Sequence, residues 1–207
     1  MRPGLMRPGL IAWDFDGVLN RNYKGGDRAW DRSFEADLGV SAKDFDQFMF
    51  RSGRFNDVLV GKRDVLDLLG QWIAEFKVPY TASAVLDYWL AKDTDGDAEV
   101  LNWVDTCTIR SVIATNNEAR RSAYIWDHLG YRARMAQIFA AGSMGVRKPD
   151  AEFYSQIEDW AGLPPEQILL VDDAEANIAA AHRRGWMAFH FTDTSRHRLP
   201  GLLGIAR

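Results

Sequence analysis

The chain has little of what marks exported, membrane-bound or nucleic-acid-binding proteins. It holds one cysteine, Cys107, in 207 residues, so neither an internal disulfide nor a cysteine-built zinc site can form. A reducing compartment, the cytoplasm, is the expectation. No stretch approaches the roughly 20 apolar residues of a membrane helix, and no apolar run of signal-peptide length opens the sequence. Charge of one sign is scarce as well. The formal net charge is −4 and the pI about 5.6, which leaves no basic footprint for gripping nucleic acid or an anionic membrane. A small-molecule partner is favoured. Histidine is equally sparse: His128, His182, His190 and His197 are expected within or beyond helices and the last strand, away from any strand-end loop.

What is present can bury a core, since 47% of the residues are hydrophobic and 26% charged, the proportions of a soluble globular protein. The length suits one domain, or one core domain with an inserted sub-domain. MRPGL occurs twice at the start, which suggests a duplicated or alternative start at Met6. Residues 1–8 are read as a flexible leader.

Five short apolar runs, Leu10–Trp13, Ser111–Ala114, Ile138–Ala141, Ile168–Val171 and Met187–Phe191, have polar or glycine boundaries, as strands buried on both faces do. Helical segments separate the last four: Glu118–Leu129 before Gly130, Ala151–Ala161 before Gly162, and Ala174–Arg184 before Gly185. A glycine just past a helix supplies its left-handed cap. This alternation predicts an α/β fold, a Rossmann-like parallel sheet with right-handed crossovers.

Residues 20–105 break the alternation. They hold helical patterns over Ser33–Leu38, Ala42–Arg51, Asp64–Phe76 and Ala82–Leu90, with Ser41 and Asp64 placed as N-caps and no convincing strand pair. A helical cap inserted into a core of residues 9–19 and 106–207 is the economical reading. Asp93-x-Asp95-Gly96-Asp97 imitates the start of a calcium loop. However, Ala98 stands at loop position six, where glycine is needed, and Val104 at position twelve, where a bidentate glutamate belongs. Asp97 as N-cap of a helix over Ala98–Val104 explains the segment better.

Ligands of α/β sheets gather at the carboxyl ends of the strands. There the sequence places Asp14-Phe15-Asp16-Gly17-Val18, then Thr115-Asn116-Asn117, then Arg147-Lys148-Pro149, then Asp172-Asp173. Alone, each motif is weak; an acidic pair after a strand often caps the next helix. Four carboxylates in one crevice are different, because two unit charges ~4 Å apart repel by ~4 kcal/mol at an effective dielectric of about 20. A divalent cation and Lys148 would relieve that repulsion, and oxygen-only ligands favour Mg²⁺ over Zn²⁺.

In this order, DFDGVLN, ATNN, GVRKPD and VDDAEAN resemble the four motifs of the haloacid dehalogenase superfamily, and the helical insertion resembles its type-one cap. The stretches GVRKPDAEFY and VDDAEANIAAAHRRG look like its sugar-phosphate phosphatase branch. The resemblance implies a Mg²⁺-dependent phosphohydrolase acting on a small phosphorylated metabolite. Asp14 would attack phosphorus, and Asp16 would protonate the leaving alcohol and then activate water. A crowded acidic surrounding would favour the protonated start that Asp16 needs. Mg²⁺ would bind the Asp14 carboxylate, the Asp16 main-chain carbonyl and one of Asp172 and Asp173, with Asp173 the first choice. The other member of the pair and Asn177 would hold waters. Thr115, the amide of Asn116 and Lys148 would bind the phosphoryl oxygens, although Thr115 and Asn116 also suit N-caps of the next helix.

Three rivals share these motifs. A metal-independent 2-haloacid dehalogenase would lack the equivalents of Asp16, Asp172 and Asp173. A phosphomutase would turn its intermediate without losing phosphate to water. A non-catalytic regulator would be expected to have lost some of the set, which is intact. Specificity is expected from the cap, with Asn20, Arg21, Tyr23, Lys24, Arg51 and Arg54 as candidate contacts to a sugar phosphate or a similarly compact leaving group.

Overall fold

The computed structural model describes residues 7–24, 27–28 and 30–205. The chain opens with β1 (Leu10–Trp13). It then makes a short antiparallel pair, β2 (Tyr23–Lys24) and β3 (Asp27–Arg28), where no strand pair was expected. Helices α1 (Asp31–Leu38), α2 (Ala42–Asp46), α3 (Phe55–Leu59), α4 (Val65–Phe76), α5 (Ala82–Lys92) and α6 (Ala98–Thr106) follow. The second half alternates β4 (Arg110–Thr115), α7 (Ala119–Ala123), β5 (Ile138–Ala140), α8 (Ala141–Met144), α9 (Ala151–Ala161), β6 (Ile168–Asp172), α10 (Glu175–Arg183), β7 (Met187–His190) and α11 (Leu199–Leu203).

The sheet order is β5-β4-β1-β6-β7, and every pairing is parallel. This is the predicted Rossmann-like sheet, with β1 at its centre. Side chains alternate between its faces. Ile11, Trp13, Ile113, Leu169 and Val171 pack with Val100, Trp103 and Val104 of α6 and with Leu199 and Leu203 of α11. Leu10, Ala12, Val112, Ala114, Ile168 and Leu170 pack on the other face with Phe153, Tyr154 and Ile157 of α9 and Ile178 of α10. Both faces are covered, which is why the strands read as continuous apolar runs.

A third cluster is formed by the helices between β1 and α6, around Trp30, Phe34, Phe45, Trp72 and Trp89. Its rings meet edge-on or tilted, with Phe34 and Phe45 4.8 Å and Phe45 and Trp72 4.9 Å apart. Ser41, Asp64 and Asp97 accept hydrogen bonds as the N-caps of α2, α4 and α6. Gly130, Gly162 and Gly185 adopt the left-handed conformation expected of them. Two expected helices differ in kind: Ala42–Arg51 becomes α2 plus a π-helical turn over Gln47–Arg51, and Glu118–Leu129 becomes α7 plus one over Tyr124–His128. The leader through Met6 lies outside the described residues. Arg7 and Pro8, assigned to it, pack on the core: Pro8 is buried and Arg7 donates to Thr108 Oγ1 at 3.2 Å.

Candidate active site

The carboxyl ends of β1, β4 and β6 bring Asp14, Thr115 and Asp172 to one edge of the sheet. Asp14 follows β1 and is buried; its Oδ1 accepts from the Phe15 N–H at 2.7 Å. Lys148 reaches in from the loop after α8. Its ammonium is buried and lies 2.6 Å from Asp172 Oδ2 and 3.1 Å from Asp14 Oδ1. Asp172, the last residue of β6, accepts in addition from Asn177 Nδ2 at 3.0 and 3.1 Å and from the Ala174 N–H at 2.9 Å. Asp172 is thereby saturated, while Asp173 beside it is exposed and keeps its carboxylate open.

Oxygens of Asp14, Asp172 and Asp173 lie within 4.8 Å of one another, an all-oxygen donor set that fits a hard cation such as Mg²⁺. Gly17 shapes the same place. A Cβ there would stand 2.2 Å from Asp173 Oδ2, and the backbone has φ +82°, so a side chain would both strain the turn and push the carboxylate out.

Charge is in surplus in this crevice. Burial pushes the Asp14 carboxyl well above the ordinary carboxylate range; Lys148 opposes the shift, but Asp172, Asp16 and Asp173 add to it. Burial likewise raises Asp173, reinforced by Asp172. For Lys148 burial acts downward, yet Asp14 and Asp172 together outweigh it and hold the ammonium above its usual range. One ammonium serves several carboxylates, and the uncompensated negative charge is what a divalent cation would neutralise.

Asp16 has a different setting from the acidic one expected. It faces donors: Arg121 Nη2 at 2.7 Å, Asn20 Nδ2 at 3.0 Å and Asn117 Nδ2 at 3.0 Å. The crowding of acids falls on Asp14 instead, while the Asp16 side chain is turned to Arg121 of α7. Asn117 also donates to Thr115 Oγ1 at 2.7 Å. The side chain of Asn116 is committed to the Lys148 backbone, donating to its carbonyl at 2.9 Å and accepting from its N–H at 2.8 Å. That clamp leaves Asn116 only its main-chain amide for a ligand. The helix N-cap is neither Thr115 nor Asn116 but Glu118, which accepts from the N–H groups of Arg120 and Arg121. His190, expected away from the strand-end loops, has Nε2 2.9 Å from the Asp173 carbonyl oxygen.

A cavity of about 170 Å³ adjoins the crevice, reaching Asp16 and Asn116 on one side and Trp30, Phe50, Phe55 and Trp89 on the other. None of Arg21, Arg51 and Arg54 lines it. Arg21 lies 3.5 Å from Asp97, Arg51 pairs with Asp46, and Arg54 covers the Phe48 ring. Each extends along the surface to a local partner. Asn20 is buried and pins two chain segments together, donating to the Asp93 carbonyl at 2.8 Å and accepting from the Asp95 N–H at 2.7 Å. The side chains of Tyr23 and Lys24 lie outside the described residues. Sequence reasoning gave no role to Gly17, Asn22, Trp89, Asn117 or Arg121. Asn117 and Arg121 could have been paired by their i, i+4 spacing.

A parallel α/β sheet with clustered carboxylates and a buried lysine at its carboxyl edge defines an enzyme built for chemistry beside a strongly acidic centre. The chain belongs to the haloacid dehalogenase-like hydrolases, whose family model matches residues 8–185. It is 26% identical over 187 residues to validoxylamine A 7′-phosphate phosphatase of Streptomyces hygroscopicus subsp. limoneus, covering 89% of this chain and 86% of that protein. A sesquiterpene phosphatase of Aspergillus oryzae is 32% identical over 78 residues, 38% of this chain and 37% of that protein. The chain therefore spans little more than a third of that second relative. Among solved structures, a HAD-like hydrolase of Porphyromonas gingivalis superposes with TM-score 0.74 at 21% identity, covering 96% of this chain and 97% of that one. A HAD family enzyme of Bacteroides thetaiotaomicron, in complex with magnesium and inorganic phosphate, has TM-score 0.74 at 13% identity, over 88% of this chain and 93% of that one. At such identities the structures speak for the fold alone.

Proposed function

We propose that the protein is a Mg²⁺-dependent phosphohydrolase that cleaves the phosphate monoester of a compact metabolite through an aspartyl-phosphate on Asp14. The observation that carries this reading is the grouping of Asp14, Lys148, Asp172 and Asp173 at one strand edge, with Asp16 two residues beyond the nucleophile. Both phosphatase relatives support it. Bound at Asp14, Asp173 and the Asp16 carbonyl, Mg²⁺ would supply the positive charge that lets an anionic carboxylate approach an anionic phosphate. Asp172 holds Lys148 in place, and Asn177 holds Asp172. Lys148 and Thr115 draw the phosphoryl oxygens toward Asp14.

The Asp14 carboxylate forms a bond to phosphorus as the bond to the leaving oxygen breaks, and Asp16, which has to carry a proton in place of its contact with Arg121 for this step, gives that oxygen its proton. Asp16 then takes a proton from water, which attacks phosphorus, frees inorganic phosphate and restores Asp14. Residues 20–105 act as a cap over a core of residues 9–19 and 106–207, and closure of that cap over the crevice would keep bulk water from the intermediate. Asp16 and the acidic pair distinguish this chemistry from metal-free dehalogenation, which needs neither a leaving-group acid nor a cation site.

The test is phosphate release from a panel of phosphorylated metabolites, with Mg²⁺ and with excess chelator. Activity with Mg²⁺ is expected to vanish with chelator, and Asp14→Asn is expected to lower kcat/KM by about a thousandfold or more. Full activity in chelator, or halide release from a 2-haloacid in its place, would refute the reading.

A further inference from the structure

Among the described residues, four buried side-chain polar atoms have no hydrogen-bond partner: Asn22 Oδ1, Trp72 Nε1, Trp89 Nε1 and Arg121 Nε. Three of these four belong to residues that line the cavity beside Asp16. Buried polar groups are as a rule satisfied, so such a concentration calls for an explanation. A bound molecule with oxygen atoms to offer would supply one. Trp89 and Arg121 provide donors and Asn22 an acceptor.

One side of the wall is aromatic, and the other carries Asp16, Asp93, Asn116, Asn117 and Glu118, whose side chains are engaged within the protein. Trp89 stands 6.3 Å from Trp30, 5.7 Å from Phe50 and 6.2 Å from Phe55, centroid to centroid. The charged groups on the wall already have partners. Arg28 Nη1 lies 2.8 Å from Asp46, and Arg121 is held by Asp16 and Asp93. A second anionic group on the ligand is therefore not called for. The volume of about 170 Å³ has room for a single ring, since an enclosed cavity of about 150 Å³ takes up benzene.

We infer that this cavity seats the leaving alcohol, and that the alcohol is a neutral, amphipathic single-ring compound. It has a flat carbon face against Trp30, Phe50, Phe55 and Trp89, and one or two oxygen groups for Trp89 Nε1, Arg121 Nε and Asn22 Oδ1. This rests on the phosphohydrolase reading, in which Asp16 protonates the leaving oxygen. A hexose phosphate fits poorly, because it carries more hydroxyls than these three unpartnered atoms can match. Each hydroxyl left unmatched against carbon costs about tenfold in affinity.

The experiment compares kcat/KM, with Mg²⁺ present, for benzyl phosphate, its hydroxymethyl ring isomers and glucose 6-phosphate. The best hydroxymethyl isomer is expected to exceed both of the others, and glucose 6-phosphate by about tenfold or more. Trp89→Phe removes the N–H and keeps an aromatic ring. It is expected to lower the ratio of the hydroxymethyl ester to benzyl phosphate by about tenfold. Asn22→Leu makes the same test at the acceptor, Asn22 Oδ1, if Trp89→Phe fails to fold. A preference for glucose 6-phosphate, or an unchanged ratio in the folded variants, overturns the inference while leaving the phosphohydrolase reading in place. No phosphate from any ester overturns both.

Discussion

The crevice at the end of β1 and the cavity beside it are built on opposite principles. In the crevice, buried charge is packed more densely than one lysine can neutralise, and Asp172 is fixed by Lys148, Asn177 and the Ala174 N–H. In the cavity, four aromatic rings make one side of the wall, and three buried polar atoms, Asn22 Oδ1, Trp89 Nε1 and Arg121 Nε, stand unmatched. The first arrangement suits what every phosphate ester shares, a phosphoryl group and its cation. The second suits what differs between esters, the carbon skeleton of the leaving group. On the proposed reading, chemistry is assigned to the strand ends and selection to the aromatic side of the cavity.

If the crevice is organised by paired charge, its two neighbouring aspartates should fail differently. Asp172→Ala leaves the buried Lys148 with Asp14 as its one close carboxylate, and removing one partner of a buried pair costs about 3–5 kcal/mol. A large fall in Tm is expected. Asp173→Ala is expected to leave Tm nearly unchanged and to raise the Mg²⁺ concentration needed for activity. Chemical or thermal denaturation together with a Mg²⁺ titration checks both, and the reverse order would exchange their roles.

A smaller effect separates metal-free from metal-loaded protein. The raised carboxyls of Asp14 and Asp173 bind protons more tightly in the folded than in the unfolded state. They therefore stabilise the metal-free fold at low pH, and that contribution is lost as pH rises above the ordinary carboxylate range. Asp37, Asp64 and Glu158 are lowered and act in the opposite sense, but below that range. Melting in chelator is expected to show Tm declining across the upper window, with excess Mg²⁺ flattening the decline. A metal-free Tm that rises there would contradict the surplus of negative charge.

The smallest effect concerns the surface between the two regions. Arg120 on α7 makes two 2.7 Å contacts with Asp64 at the start of α4, but both residues are exposed. Such pairs contribute about 0–1 kcal/mol. Arg120→Ala should shift stability by no more than that, and less at high salt; a larger loss would mean that charge also organises the cavity side.

The same division decides how much could be read from the sequence. Strands buried on both faces advertise themselves as apolar runs, and residues just past them converge by topology alone, so Asp14, Thr115, Lys148 and Asp172 were legible. Ser41, Asp64 and Asp97 were legible as caps because their partners lie two or three residues away. The link from Asp16 through Arg121 to Asp93 was not, since its partners are 105 and 28 residues apart. Read locally, Asp93 was only the first letter of a failed calcium loop. Trp30, Phe50, Phe55 and Trp89 meet from separate elements, and helical periodicity shows that each is buried without showing against what.

Capture of the covalent intermediate addresses the chemistry most directly. Asp16→Asn protein is mixed with Mg²⁺ and an aryl phosphate whose leaving group needs no proton, quenched in acid, digested and read by mass spectrometry. The peptide carrying Asp14 is expected to gain the mass of one phosphoryl group, and Asp14→Asn protein treated alike to gain none. Phosphate release by wild-type enzyme with no label on Asp14, or with label on another residue, would contradict Asp14 as the nucleophile.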